Sequence, residues 1–439
     1  MILALLAQLG IYPQIALEKP PARLPGVDLR LIDATADPCV DFTKYACGNF
    51  AKIHPIPADE SSYGTFDVVS DYVSYSVHAM LEKASKGGTE RDDNEQKIGD
   101  YYAACLDVQT INARGLRSLK TELDRIRRLQ RKPDLASLLA HYRLLEVSAF
   151  FESRVSQDLK DARKQILVFD QGGLGLPERA YYLREGEKDK RILQLYETHI
   201  AKTLALSGES DSESKIDARN VLLIESAWAG ASLDVTARRD PMNVYHPMSI
   251  RQLQTLASEF RWRAFIDQDG IPNVSEVNVA IPSFFKRFNV ILARTSLRSI
   301  KAYLKWQLLS SLPGVNLPKP LDGEIFDFDS RLLRGQPEQS PRWRRCVRNT
   351  IYNLGDAVGQ VYVAQEFPAS SKAATLQMVH DIEAAMTDDI DQLDWMSPQT
   401  KLRAKEKLNL LANKIGYPER WLDYSTVEIR RDDALGNSL

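Results

Sequence analysis

Val379, Ile382, Met386, Ile390 and Leu393 recur at spacings of 3, 4, 4 and 3. An α-helix places such positions on one face, so the pattern specifies a helix with an apolar side to cover. The same periodicity returns at Ile98, Tyr101, Tyr102 and Cys105, and at Val221, Ile224 and Trp228. It also returns at Leu193, Tyr196, Ile200 and Leu204, stopped by Gly208. The first of these three stripes turns Cys105 inward. Strand signals are few: QILVFD (165–170), VNVAIP (277–282) and NKIGYP (413–418). The expectation is a mainly α fold with a few short strands. At 439 residues the chain exceeds one ordinary domain and has room for two or three lobes. Polar breaks near 85–96, 208–215 and 334–342 read as loops rather than domain linkers.

Charge excludes one class of partner. Lys and Arg number 57 against 59 Asp and Glu, interspersed along the chain, so no nucleic-acid footprint exists. The densest basic runs, Arg125–Lys132 and Arg342–Arg348, read as solvated helix surface. The N-terminal MILALLAQLGIYPQIAL is uncharged through Leu17. It is shorter than the ~20 residues of a bilayer span. Residues 1–22 read either as the hydrophobic part of a secretion signal or as a frayed N-terminal segment. No other stretch is a transmembrane candidate.

A search for chemistry finds no self-contained active site. A zinc hydrolase commonly carries His-Glu-x-x-His, which puts two imidazoles on one helix face beside a general base. Of His54, His78, His141, His199, His246 and His380, none precedes Glu and no two lie four apart. His380 has Glu383 one turn on, a metal fragment or, beside Asp381 and Asp388, a solvated helix face. A serine-hydrolase elbow is absent. QGGLGLPERAYYL (171–183) fits neither a dinucleotide fingerprint nor a P-loop, and reads as a turn after a strand. Asp388/Asp389 and Asp432/Asp433 read as surface pairs. The four cysteines lack Cys-x-x-Cys spacing and are compatible with structural disulfides in an oxidising compartment.

PCVDFTKYACGNF (38–50) holds Cys39 and Cys47. It reads as a short helix with Asp37 as N-cap, Pro38 first and Gly48 as a left-handed stop. Eight residues of helix separate the two thiols by about 12 Å of rise. A disulfide needs Cα atoms within roughly 7 Å, so the two should not bond to each other. Cys39, at a helix N-terminus, is either a disulfide partner or an activated thiol.

Taken whole, DPCVDFTKYACGNFAKIHPIPADESSYGTFD resembles the N-terminal signature of the neprilysin and endothelin-converting-enzyme family of zinc metallopeptidases. More stretches follow in the family's order: KIGDYYAACLD (97–107), DQGGLGLPERAYYL (170–183), RRDPMNVYHPMS (238–249), PRWRRCV (341–347), LDWMSPQTKLRAKEKL (393–408) and KIGYPERWLDYS (414–425). Together they cover roughly residues 27 to 437.

The resemblance implies a two-lobed, largely helical fold. A helical cap shuts over a zinc-bearing catalytic lobe and limits substrates to small peptides. It implies that 23–80 packs on the catalytic lobe, that 81–405 is a large multi-helix cap, and that 406–439 returns toward the catalytic lobe. The N- and C-terminal pieces are then edges of an incomplete catalytic lobe. The family's substrate-clamping Asn-Ala, its His-Glu-x-x-His helix and its third zinc ligand, a Glu, come after the point at which this sequence stops, DDALGNSL. The implied function is the non-catalytic, substrate-enclosing region of a secreted zinc metalloendopeptidase, inactive alone, with no catalytic residue and no metal ligand in this chain. A stand-alone peptide-binding protein derived from the cap is the alternative. Implied partners are small peptides and a complementary catalytic lobe, and the implied location is extracytoplasmic.

The family also sorts the cysteines. Cys105 and Cys346 match a disulfide pair, whereas Cys39 and Cys47 match cysteines bonded to the family's C-terminal part and are expected here as free thiols. Departures are Ser62 where many members carry a substrate-holding Arg, Phe50 for a usual Trp, and Ala180 for an Asp.

Overall fold

The computed structural model describes residues 26–88, 91–271 and 273–439. The segment 1–22, with its two readings, lies outside them. Contacts divide the chain into two compact units, one running to Leu106 and resuming over Ser340–Arg431, the other spanning Asp107–Gln339 and Asp432–Leu439. These joints differ from the expected boundaries at 80 and 405. Helices Thr65–Ser85 and Pro398–Leu408 run unbroken across those two points, and a helix carries its register through.

In chain order the first unit supplies α1 (Phe42–Cys47), α2 (Phe50–Ile53), α3 (Thr65–Ser85) and α4 (Asp93–Leu106). The second unit follows with α5 (Val108–Arg114), α6 (Lys120–Arg128), α7 (Leu135–Leu144), β1 (Phe151–Gln157), β2 (Gln165–Gln171), α8 (Ala180–Leu183), α9 (Glu187–Leu206) and α10 (Asp211–Ala231). It continues with β3 (Pro247–Ser249), α11 (Ile250–Leu256), α12 (Trp262–Gln268), β4 (Glu276–Val279), α13 (Pro282–Arg294), α14 (Leu297–Ser311) and α15 (Lys319–Ile325). The chain returns to the first unit with α16 (Arg342–Glu366), α17 (Ala369–Gln392) and α18 (Pro398–Leu408). The fold is mainly helical.

The second unit holds a continuous core. Its sheet runs β1-β2-β4-β3, with β2 and β4 parallel and both outer pairs antiparallel. Ile166 to Asp170 of β2 are all buried, as a central strand covered on both faces requires. Trp228, Phe284, Phe288 and Phe150 meet edge-on, tilted or stacked at centroid distances of 5.6–6.3 Å. Phe151, Phe169, Trp262 and Phe265 continue the same cluster. Each such ring removes roughly 150–250 Å² from water, and this is the unit's main cohesion. Ser210 opens α10 with a capping box to Glu213, and Ser249 opens α11 with one to Gln252.

The first unit has a smaller core, where α3, α4 and α16 pack mutually. Val77 and Leu81 of α3, Ile98, Tyr101 and Tyr102 of α4, and Val347, Leu354 and Val358 of α16 are buried. The Cys105–Cys346 bond, S–S 2.08 Å, joins α4 to α16. His78 stacks on Trp343 at 4.5 Å and meets the Tyr102 hydroxyl at 2.7 Å.

Three local expectations are corrected. NKIGYP (413–418) forms no strand: Gly416 has φ +72°, which turns the chain, and Tyr417 stacks on Trp421. Gly48 is not left-handed (φ −61°); a side chain there would meet Asp33 Cβ at 2.8 Å, so close approach rather than dihedral freedom calls for glycine. The run Arg342–Arg348 is not simply solvated. Arg342 donates to the Cys105 carbonyl at 2.6 Å, Arg344 lies 3.3 Å from Asp71, and Arg348 lies 3.1 Å from Glu60.

Candidate functional site

Cys39 and Cys47 lie on a turn followed by a short helix. Asp37 accepts from the Cys39 N–H at 2.8 Å, but the helix proper starts at Phe42, capped by Asp41, which accepts from the Lys44 N–H at 2.9 Å. The expected N-cap is thus four residues early, because Asp37 closes a turn of its own. Both thiols are exposed and unbonded. The segment 28–33 is laced to this helix by backbone bonds, Asp33 N–H to Tyr45 at 2.8 Å and Asn49 N–H to Leu31 at 3.1 Å.

None of the described residues from 26 to 67 is buried, and none from 391 to 432. Yet the first stretch carries exposed Val40, Phe42, Ile56 and Phe66, and the second carries Trp395, Leu402, Leu410, Leu411 and Leu422. Between them in sequence, α17 buries only Ile390; Ile382 is 58% exposed and Met386 48%. The first unit therefore exposes many large apolar side chains over these stretches and α17.

The histidines do not assemble a metal site. His141 Nε2 lies 2.7 Å from Glu122, His199 Nδ1 3.1 Å from Glu324, and His380 Nδ1 3.1 Å from Glu383. In the first two pairs a cation takes the place of a third ligand: Arg125 beside Glu122 and Lys202 beside Glu324. In the third, Asn413 donates to Glu383 at 2.9 Å. His78 is held below the usual imidazole range by burial, and His246 Nδ1 faces the Ala280 carbonyl at 3.0 Å. Among the described residues no group of three or more His, Cys, Asp or Glu could hold a metal ion. The donor sets found among the described residues thus do not fit a zinc ion.

The glycine-rich 171–183 stretch borders a cavity of about 380 Å³, but its glycines serve packing. Gly173 has φ +80° and a Cβ there would meet Phe150 Cα at 2.9 Å; a Cβ on Gly175 would collide with the Tyr196 hydroxyl. This close approach lets Tyr303 donate to the Gly173 carbonyl at 2.9 Å. Beneath the loop lies Glu225, fully buried, which sequence patterning alone did not single out. It accepts from Tyr182 and Tyr196 at 2.7 Å and from Trp306 and Gln307 at 3.1 Å. Burial pushes its carboxyl up to about 7 against the pull of these donors. With its oxygens occupied from four sides, Glu225 is a structural pin rather than a base.

Asp388 and Asp389 are exposed on α17. Asp432 and Asp433 instead take the two arms of Arg114, at 2.7 and 2.9 Å, and Asp433 also accepts from Ser118. That pair pins the C-terminal residues into the second unit. Ser62 is exposed, and Tyr63 next to it donates to Asp71 at 2.6 Å.

Comparison with known proteins places these features. The sequence profile of peptidase family M13, N-terminal part, matches residues 38–418. Endothelin-converting enzyme 1 of Homo sapiens is 29% identical over 447 residues, covering 96% of this chain and 56% of that protein. Neprilysin-3 of Drosophila melanogaster is 28% identical, covering 90% and 52%. The inhibitor-bound crystal structure of Mycobacterium tuberculosis zinc metalloprotease 1 superposes with a TM-score of 0.85 at 33% identity, covering 95% of this chain and 63% of that one. The chain spans a little over half the length of the curated relatives it matches.

Proposed function

Since the chain belongs to peptidase family M13, we propose that it is the non-catalytic, substrate-enclosing N-terminal region of a secreted neprilysin-like zinc metalloendopeptidase that acts on small peptides. In this reading the zinc and the hydrolytic residues come from a complementary part, and this chain by itself neither binds stoichiometric zinc nor cleaves peptides. The supporting observation is the pair of stretches 26–67 and 391–432, rich in exposed apolar side chains and without a buried residue. Those stretches, with the face of α17, are the surface on which the complementary part would rest. Cys39 and Cys47, exposed within the first stretch, are then available for bonds to that part. An extracytoplasmic location accords with the Cys105–Cys346 bond. Among the described residues no helix is long and apolar enough to cross a membrane.

The decisive experiment strips the purified chain of metal, reloads it with zinc and assays a fluorogenic small peptide. Metal-free, inactive protein is expected; one zinc per chain together with cleavage would overturn the reading. The same preparation tests the alternative, a stand-alone peptide binder. A well-behaved monomer with measurable peptide affinity favours that alternative, whereas self-association through the apolar stretches favours the region-of-a-peptidase reading.

A further inference from the structure

The second unit carries a larger cavity, distinct from the one under the glycine-rich loop. It lies among α6, α14 and the turn joining α9 to α10, and measures about 850 Å³. Small-molecule sites run from roughly 300 to 1,000 Å³. The apolar part of its lining is Leu116, Leu123, Ile126, Leu297 and Ala302, which belong to the unit's core or pack against it. Over this floor stand six cationic side chains, Arg117, Lys120, Arg127, Arg298, Lys301 and Lys305, against two acidic ones, Glu209 and Asp217.

The cations are not equally engaged. Lys305 is paired with Glu209 at 2.8 Å, and Lys120 and Arg127 both reach Asp124. Arg117 and Lys301 instead donate to backbone carbonyls, of Ala113 at 2.6 Å and Arg127 at 2.8 Å. Arg298 stands 3.6 Å from Asp217, beyond hydrogen-bond length. Three guanidinium or ammonium groups at the edge of an apolar hollow thus keep donors to offer an anion.

We propose that this cavity binds an amphiphilic carboxylate, with an unbranched acyl chain on the apolar floor and its carboxylate among Arg117, Arg298 and Lys301. The helical walls favour this shape of ligand over a peptide. Most of their backbone groups are committed to intrahelical bonds, and the Arg127 carbonyl near the end of α6 is taken by Lys301, so a peptide main chain would find few partners, at a cost for each group left unpaired. A ligand whose polar atoms all sit at one end leaves none unpaired. A charge-assisted contact at the rim also rewards an anion more than a neutral head group.

Calorimetric titration of the purified full chain with dodecanoate, below its micelle concentration, tests the site, with dodecylammonium as the charge control. Dodecanoate is expected to saturate one site, with dodecylammonium weaker by about tenfold or more. Ala302→Trp, which fills the floor, and Lys301→Gln, which removes one cation, should each weaken dodecanoate by about tenfold. Equal affinity for the two amphiphiles, or dodecanoate binding unchanged in both variants, overturns the proposal. Should Ala302→Trp not fold, Lys301→Gln and the comparison of amphiphiles decide the matter. Binding is read without hydrolysis, so the outcome does not depend on the peptidase reading.

Discussion

Helices α10 and α17 carry the same kind of apolar periodicity and meet opposite fates. In α10 the stripe Val221, Ile224 and Trp228 is buried, with Trp228 against an aromatic cluster supplied by Phe150 and by Phe284 and Phe288 of α13. In α17 the longer and more regular stripe is left uncovered in part: Ile382 and Met386 are exposed, Val379 and Leu393 half-buried, and Ile390 is its one buried member. Periodicity therefore reports that a helix has a face to cover. It does not report that the covering surface lies in the same chain.

The largest test of this contrast is Trp228→Ala. Removing a fully buried indole should cost about 3–5 kcal/mol, read as a lower urea midpoint. Next, Cys346→Ala breaks a bond closing a sequence separation of 241 residues and should cost about 2–5 kcal/mol. Third is a pH effect confined to the second unit. The folded Glu225 carboxyl sits at about 7 against an ordinary 4.5. The folded state therefore keeps a proton that the unfolded chain has already released. Stability should be greatest below pH ~4.5, fall by about 3 kcal/mol as pH rises to ~7, and level off above. Glu225→Gln should remove that slope, measured as unfolding midpoints across pH 4.5 to 7.5. Smallest of all, Ile382→Ser and Met386→Ser should shift the midpoint by no more than about 0.5 kcal/mol while reducing self-association. A loss comparable to that of Trp228→Ala would show that α17 is covered after all. A separate check concerns the thiols: two per folded chain, Cys39 and Cys47, should react with a disulfide reagent before unfolding.

Much of the fold was legible where one physical signal dominated. The stripes of α4, α9 and α10 mark buried faces, and QILVFD reads as a strand because Ile166 through Asp170 are covered on both sides. Strand β1 escaped notice because it is an edge: of FESRVSQ only Phe151 is buried, and the rest is polar surface paired through its backbone. NKIGYP failed in the other direction, with Tyr417 serving ring contacts to Phe367 and Trp421 rather than a ladder. At the candidate site, the scattering of the histidines and the separation of Cys39 from Cys47 follow from spacing, whereas the expectation of free thiols comes from the family resemblance. Glu225 and the basic cavity do not, since the donors to Glu225 lie 29 to 82 residues from it and the cavity draws on residues from Leu116 to Lys305, which converge only on folding.

The Cys105–Cys346 bond has a topological consequence. Every residue from 107 to 339, most of the second unit, lies on the segment that this bond closes into a covalent ring. A protease that nicks any loop within that ring leaves a molecule of unchanged mass apart from one added water. Its two fragments separate on a denaturing gel only after a reductant is added.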